Sequence, residues 1–323
     1  MIIVAGEALI DLISEGGALR AHPGGGPFNS AVALGRLGVP VGFLGRLSDD
    51  PFGQLLASFL QESGVDGRYV IRGPAPTPIA VVHEAANGDH EFAFYLTGTA
   101  YADFTAADLP EFGPEVDVVS AGTLALATEP PASAIEALLE REAERRLIVI
   151  DPNIRPAVFG SCELYRRRFE RFASLAHVVK LSDADASWLY PGEDMEVVVD
   201  RLVALGARLA VLTLGVDGAL AKTQAGRAEV ASPRVDVVDT VGAGDAFGAG
   251  LLRWLWVSDR LDADAVARID GEALADGLGF AAAMGALQCS RAGATPSTLA
   301  EVEAFLGRMT GPPSEAIFPT TGQ

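Results

Sequence analysis

The feature that most constrains the fold is a regular alternation of short apolar runs with longer amphipathic segments, beginning near residue 115. The spacing predicts strands over 116–120, 147–150, 177–180 and 209–214. Helices are predicted between them, over 131–144, 161–174, 183–190 and 194–204. Strands and helices in alternation mean an α/β fold, with a mostly parallel sheet and helices on its faces. Upstream, Ile2 to Ala5 reads as a buried strand, and 9–13 and 19–21 as further strands joined by Ser14-Glu15-Gly16-Gly17. Gly24-Gly25-Gly26-Pro27 leads into a helix over 28–37 that ends at Gly38. A strand over 41–44 and a helix over 51–62, ended by Gly64, follow. Residues 65–100 change character. Three β-rich runs, at 70–71, 79–83 and 91–95, have no helix between them, so they are expected to pair antiparallel in a small projecting sheet. Asn87-Gly88 is the hairpin signal there. Two short strands are expected within 219–238, then helices over 244–257 and 272–287. A proline-rich tail after Gly311 is expected to be loosely held.

Composition narrows the partners. The formal net charge is −19, which argues against nucleic acid and anionic membrane. A phosphate ligand stays open, because local amides and a few cations can outweigh the global field. Cys162 and Cys289 are too few and too unpatterned for a disulfide framework or a zinc site. The start, Met1-Ile2-Ile3-Val4-Ala5-Gly6-Glu7, has no basic leader, and no uncharged apolar run reaches membrane-spanning length. A soluble cytoplasmic protein is the expectation. The four histidines form no i, i+4 pair and read as structural or surface residues.

The chemistry-bearing stretch is Asp239-Thr240-Val241-Gly242-Ala243-Gly244-Asp245-Ala246-Phe247. Small residues before an alanine-rich apolar run let the backbone lie against a ligand. If that run is a helix, the amides of Gly242, Ala243 and Gly244 form an anion site at its N-terminus. Asp245 beside a bound anion needs a reason, and removing a proton from an attacking hydroxyl supplies one. The alternative is a glycine-rich loop with Asp245 as its capping residue. Lysine occurs only at 180 and 222, in neither case after glycine, so there is no P-loop. Phe247 stands where a dinucleotide fingerprint needs its third glycine.

Further polar clusters close predicted strands: Asp151-Pro152-Asn153-Ile154-Arg155, Lys180-Leu181-Ser182-Asp183, and Thr213 through Gly218. Each has an ordinary reading as turn chemistry. Together, at the carboxyl ends of strands, they favour one shared site. The reaction they suggest is phosphoryl transfer, which needs charge neutralisation and an aligned hydroxyl. The 242–244 amides would hold the transferring phosphate and Asp245 would take the proton. Lys180 would touch a donor phosphate, and Asp183 or Asp185 would hold Mg²⁺ through water.

At this point the chain resembles the ribokinase-like (PfkB-type) carbohydrate kinases over nearly its whole length. Two motifs carry the resemblance. One is Gly24-Gly25-Gly26-Pro27-Phe28-Asn29, continuing through Gly45-Arg46-Leu47-Ser48-Asp49-Asp50-Pro51-Phe52-Gly53. The other is Asp239 through Asp245. The resemblance implies a three-layer α/β/α fold with a small β lid. Residues 1–311 would form one kinase domain, the lid being built from about 9–22 and 65–100, with 312–323 as the tail. It implies Asp245 as base and 242–244 as anion hole. Asp11, Gly25, Asn29 and Arg155 would contact the sugar, and Thr213, Gly215 and Gly218 would line the ATP site. Asp239, Val241, Arg291, Gly293 and Ser297 match positions that supply oxygens to K⁺ in several members. A homodimer through the lid is a further implication. Ser182-Asp183-Ala184-Asp185 departs from the family's usual N-x-x-E. Gly26, where ribokinases carry lysine, makes ribose less expected. Leu96 after Phe94-Tyr95 replaces the arginine of keto-deoxygluconate kinases. Gly6 to Asp11, Asp151 to Pro156 and Gly98-Thr99-Ala100 are most similar to fructokinases. Other kinases of the same fold, acting on 2-keto-3-deoxygluconate, another hexose or a nucleoside, remain as alternatives. A non-catalytic sugar sensor is the remote one.

Overall fold

Among the described residues, thirteen strands pair into two sheets. The computed structural model describes residues 1–15, 18–84, 90–291 and 293–310. The strands are β1 (Ile2–Ala5), β2 (Leu9–Glu15), β3 (Ala18–Gly24), β4 (Val41–Ser48), β5 (Val70–Gly73), β6 (Ile79–Glu84) and β7 (His90–Tyr95). After them come β8 (Val118–Gly122), β9 (Leu147–Asp151), β10 (Val178–Ser182), β11 (Leu209–Thr213), β12 (Ala219–Thr223) and β13 (Arg227–Val230). The larger sheet has the order β13-β12-β11-β10-β9-β8-β1-β4-β5. It is parallel from β5 to β11. Only the β11–β12 and β12–β13 pairs are antiparallel.

The helices are α1 (Gly26–Arg36), α2 (Pro51–Glu62), α3 (Pro131–Glu142), α4 (Pro156–Phe159), α5 (Cys162–Leu175) and α6 (Asp183–Leu189). They continue with α7 (Met195–Leu205), α8 (Ala243–Val257), α9 (Ala263–Ala267), α10 (Gly271–Cys289) and α11 (Leu299–Thr310). Alternation along β1 decides the layers, since successive side chains point to opposite faces. Ile2 and Val4 join Phe28, Leu34, Leu56, Phe247, Leu251 and Leu278, from α1, α2, α8 and α10. Ile3 and Ala5 join Ile135, Phe169, Phe172 and Leu202, from α3, α5 and α7. Three layers result.

The smaller sheet has the order β3-β2-β6-β7. One expectation about it is corrected: Val70–Gly73 does not join it, and β5 extends the main sheet beside β4. β6 and β7 pair antiparallel as expected, while β6 runs parallel to β2. The connection between β2 and β6 runs through β3, β4, β5 and two helices, over residues 26–36 and 51–62, long enough for the crossover that a parallel pair needs. Asn87-Gly88 and the tail after residue 310 lie outside the described residues.

β1 has β8 on one side and β4 on the other, and the chain departs from it first towards β4. That reversal opens a crevice at the carboxyl ends of the strands, where ligands bind in open α/β sheets. Gly6 and Glu7 after β1, Thr123 after β8, Asp151 closing β9, Ser182 closing β10 and Thr213 closing β11 all sit on that edge.

Candidate active site

Helix α8 begins at the crevice. Its N-cap is Gly242, whose φ of 77° is left-handed backbone that favours glycine, and no side chain caps the helix. Asp245 is therefore not the cap. It sits in the first helical turn, 8% exposed, and accepts a 2.9 Å hydrogen bond from Asn29 Nδ2. Asn29 is in the first turn of α1, so two helix N-termini meet at one carboxylate. Burial pushes Asp245 up to about 6. The Asn29 hydrogen bond and the charges of Lys180 and Arg155 oppose that rise, and Asp151 adds to it. Of the three amides expected to hold an anion, Ala243 N–H makes a 3.3 Å turn contact with the Thr240 carbonyl. The first amides of a helix have no acceptor within it, which leaves this end suited to an anion.

The space beside Asp245 is set by Gly26. A Cβ there would overlap Thr123 Oγ1 and lie 3.2 Å from Asn153 Nδ2 and 3.4 Å from Asp245 Oδ1. Thr123 and Asn153 reach this point through positive φ values of 52° and 40°, uncommon for residues with a side chain. A cavity of about 20 Å³ touches Gly26, Thr123, Asp151 and Asp245. A larger one, about 560 Å³, lies under β7 and is lined by Phe92, Phe94, Tyr95, Tyr101, Thr128 and Val158 among others. Phe92 and Phe94 stack at 5.8 Å on one face of β7, and the Arg155 guanidinium lies 5.5 Å from the Phe92 ring. Arg155 Nη1 is held by Asn153 Oδ1 at 2.7 Å.

Asp11, on β2, stands where a Cβ on Gly24 would be. Burial raises it to about 7, with Arg155 opposing and Asp245 adding. Gly25, with φ 105°, caps α1, and its carbonyl accepts from Asn29 N–H at 2.8 Å. Asp11, Gly25, Asn29, Arg155 and the 242–245 segment thus surround one crevice.

Lys180 is buried and holds Asp151 Oδ2 at 2.5 Å. Its ammonium lies 3.6 Å from where a Gly244 Cβ would be. Burial disfavours its charge, but Asp151 outweighs that, so Lys180 stays an ammonium. Its first partner is thus an aspartate and not the open crevice. Asp185 also departs from expectation. Both its carboxylate oxygens accept backbone amides, from Ile154 at 2.7 Å and Ser182 at 3.0 Å, in a capping box that starts α6. Asp183 is exposed. Among the described residues no three His, Cys, Asp or Glu side chains form a metal-holding group.

Thr213 closes β11 beside Ser182. Gly215 is exposed in the turn that follows. Gly218 is buried, and a Cβ there would overlap the Val230 carbonyl, so the sheet itself demands that glycine. The loop with Arg291 and Gly293 packs behind the start of α8, where Asp239 accepts from the amides of Val241 at 3.0 Å and Gly293 at 2.8 Å. Ser297 is buried nearby in sequence, with an unpartnered Oγ.

Sequence reasoning assigned no role to Asp151, Thr123, Asn153 or Glu7, and read Gly26 only for the choice of sugar. Asp151 and Asn153 were visible as a polar cluster after an apolar strand. Thr123 carries no signal, because only its backbone angle aims it. Glu7 is 1% exposed. Burial pushes it up to about 8 against the backbone hydrogen bonds of Glu7, Leu124 and Ala125, and Asp245 adds to the rise.

The description "pfkB family carbohydrate kinase" matches residues 1–301. The chain is 39% identical over 282 residues to a fructokinase of Rhizobium leguminosarum bv. trifolii, covering 86% of each. A solved fructokinase from Xylella fastidiosa with bound ATP superposes with a TM-score of 0.87 at 31% identity, over 96% of this chain and 99% of that one. A double mutant of the Vibrio cholerae O395 fructokinase, solved with fructose, ADP and a potassium ion, gives 0.83 at 29%, over 94% and 97%.

Proposed function

Since this chain belongs to the pfkB family of carbohydrate kinases, we propose that it transfers the γ-phosphoryl group of ATP to a primary hydroxyl of fructose. The observation that carries the reading is the buried Asp245 carboxylate at the start of α8, held by Asn29 and bordered by Gly26. The named likeness to fructokinases supports the sugar, and the likeness to an ATP-bound one supports the donor.

In this mechanism Asp245 takes the proton of the hydroxyl as its oxygen bonds to the γ-phosphorus. The bridging bond to the β-phosphate breaks and ADP leaves. The 242–244 amides face the charge that spreads over the moving group. Asn29 fixes which carboxylate oxygen is free to accept the proton. Asp11 and Arg155 hold sugar hydroxyls, with Gly25 supplying backbone. The nucleotide lies over Thr213, Gly215 and Gly218, where Val216 is 84% exposed and offers an apolar surface to a base. Mg²⁺ would arrive on the phosphates, keeping most of its waters, and neutralise their charge. Asp183 is an exposed carboxylate near that edge, as is Asp217. Lys180 holds Asp151 and keeps Asp245 ionised. The small sheet acts as the lid, and its edge strands β3 and β7 carry exposed Leu19 and Tyr95, an apolar rim suited to a second copy of this chain.

The aromatic-lined cavity under β7 supports a second reading, a sugar carrying a flat substituent. ADP release from Mg-ATP across fructose, 2-keto-3-deoxygluconate, ribose, glucose and adenosine separates the two. The proposal expects fructose to give the highest kcat/KM. Preference for adenosine would replace fructose with a nucleoside, and nucleotide binding without turnover on any compound would turn the reading towards a sensor.

A further inference from the structure

Two neighbouring loops at the crevice meet through residues in left-handed backbone. Thr123 follows β8 with a φ of 52°, and Asn153 follows β9 with a φ of 40°. Residues with a side chain adopt such angles at a cost, and keep them where the surroundings hold them. The Asn153 side chain is engaged by Arg155. Arg155 Nη1 donates to Asn153 Oδ1 at 2.7 Å, to the Asn153 carbonyl at 3.1 Å and to the Ile154 carbonyl at 3.2 Å. A guanidinium only donates, so the amide atom facing it is the oxygen. The amide nitrogen is left for Thr123, whose Oγ1 accepts from it at 3.4 Å. The ring of Phe92, on β7 of the small sheet, covers the guanidinium at 5.5 Å. Arg155 is thus gripped at one nitrogen and covered on one face. Among the described residues its Nε and Nη2 donate to no protein atom. Those two nitrogens form the side of the guanidinium that can meet two oxygens at once.

We propose that Asn153 is a positioning residue that aims the Nε–Nη2 side of Arg155 at the sugar, so that sugar affinity depends on an amide that does not itself touch the substrate. The inference rests on the kinase reading above, in which Arg155 holds sugar hydroxyls. Arg155 needs such a hold because three carboxylates compete for it. Burial raises the carboxyls of Asp11, Asp151 and Asp245, and the Arg155 charge opposes the rise in each. Released by Asn153, the guanidinium would be free to turn to one of them and away from the sugar. An arginine also carries much rotamer freedom, and ordering it before binding removes that cost from the binding step. Asparagine suits the position, since it tolerates left-handed backbone better than most residues and still offers an acceptor. The contact to Thr123 fixes the amide from its other end, beside Gly26 and the wall of the Asp245 site.

The test measures kcat and KM, for Mg-ATP and for the sugar that the wild type turns over best. It compares the full chain with Asn153→Gly, Asn153→Asp, Arg155→Ala and the double variant Asn153→Gly/Arg155→Ala. Glycine accepts a φ of 40° freely, so Asn153→Gly removes the amide and keeps the backbone. It is expected to raise the sugar KM about tenfold, with kcat and the Mg-ATP KM little changed. Asn153→Asp keeps an acceptor for Nη1 and should stay within about threefold of the wild-type sugar KM. In the Arg155→Ala background, Asn153→Gly should add less than about twofold, because no guanidinium remains to be aimed. An undiminished loss in that background would mean that Asn153 meets the sugar directly, and it overturns the proposal. So does an Asn153→Gly variant with the wild-type sugar KM. If the wild type turns over no sugar, the kinase reading fails, and crystal structures of the wild type and Asn153→Gly read the arginine alone. A guanidinium that leaves Phe92 in the variant supports the grip, and one that keeps its place overturns it.

Discussion

Asn29 and Asp245 lie 216 residues apart in sequence and share one hydrogen bond. At this scale function depends on what a single atom has room to do. Gly26→Ala puts a methyl group onto Thr123 Oγ1 and beside the Asp245 carboxylate. Displacing reacting groups by about an ångström costs on the order of 100-fold, so kcat/KM for the sugar should fall by about that much while Tm changes little. Steady-state kinetics beside a thermal melt checks this, and a variant with normal kcat/KM would remove Gly26 from the site. The Asp245 carboxyl, raised to about 6 by burial, gives a pH test. A base must be ionised, so kcat/KM should fall about tenfold per pH unit below 6 and level off above it. Glu7 gives a second test, of stability. Its folded pKa of about 8 lies above the ordinary 4.5, so the folded state holds the extra proton between those values. Stability from this group is complete below pH 4.5 and is lost as pH rises through 8. Glu7→Gln should flatten that part of a Tm-against-pH curve, and an unchanged curve would show that Glu7 is ionised in the fold.

At the scale of elements, the two motifs divide their labour. The second half of the first motif, Ser48 to Gly53, is structural. Asp50 N-caps α2 by accepting from Gly53 N–H at 2.7 Å, and it also accepts from Thr77 N–H at 2.8 Å and Thr77 Oγ1 at 2.6 Å. These bonds outweigh the opposing effect of burial and lower it to about 2. Asp50→Ala should therefore cost about 2 kcal/mol of stability, measured by denaturant unfolding, with the sugar KM little changed. The Asp50 contribution is present above the ordinary 3.8 and lost as pH falls through 2. The long βα alternation was legible because each strand is buried on both faces and reads as a continuous apolar run. Val70–Gly73 was misplaced because four residues at a sheet edge carry no signal for which sheet they join. Asp185 shows a similar limit. An acid after Ser182 reads equally as a cap or a metal ligand, and only the partner amides of Ser182 and Ile154 decide. Asp245 escaped that ambiguity because Gly242 took the capping position.

At the scale of the whole molecule, the topology does what no motif can, bringing the ends of β1, β8, β9, β10 and β11 to one edge. The sequence announced polar clusters there, but not that Thr123 would face Gly26 or that Lys180 would spend its charge on Asp151. The field of the molecule adds its own prediction. With a net charge of −19, long-range repulsion slows the approach of an anionic nucleotide, and salt screens it. The value of kcat/KM for Mg-ATP should rise from low to physiological ionic strength. A fall would mean that the local cations and amides at the crevice outweigh the global charge. The central claim is that Asp245 removes the proton of the attacking hydroxyl, and the most direct measurement is fructose-dependent ADP release by wild type and Asp245→Asn. The account predicts a loss of about 10²–10⁴-fold in kcat, with the Asn29 contact and the melting temperature preserved. Near-normal turnover by a folded Asp245→Asn would contradict it.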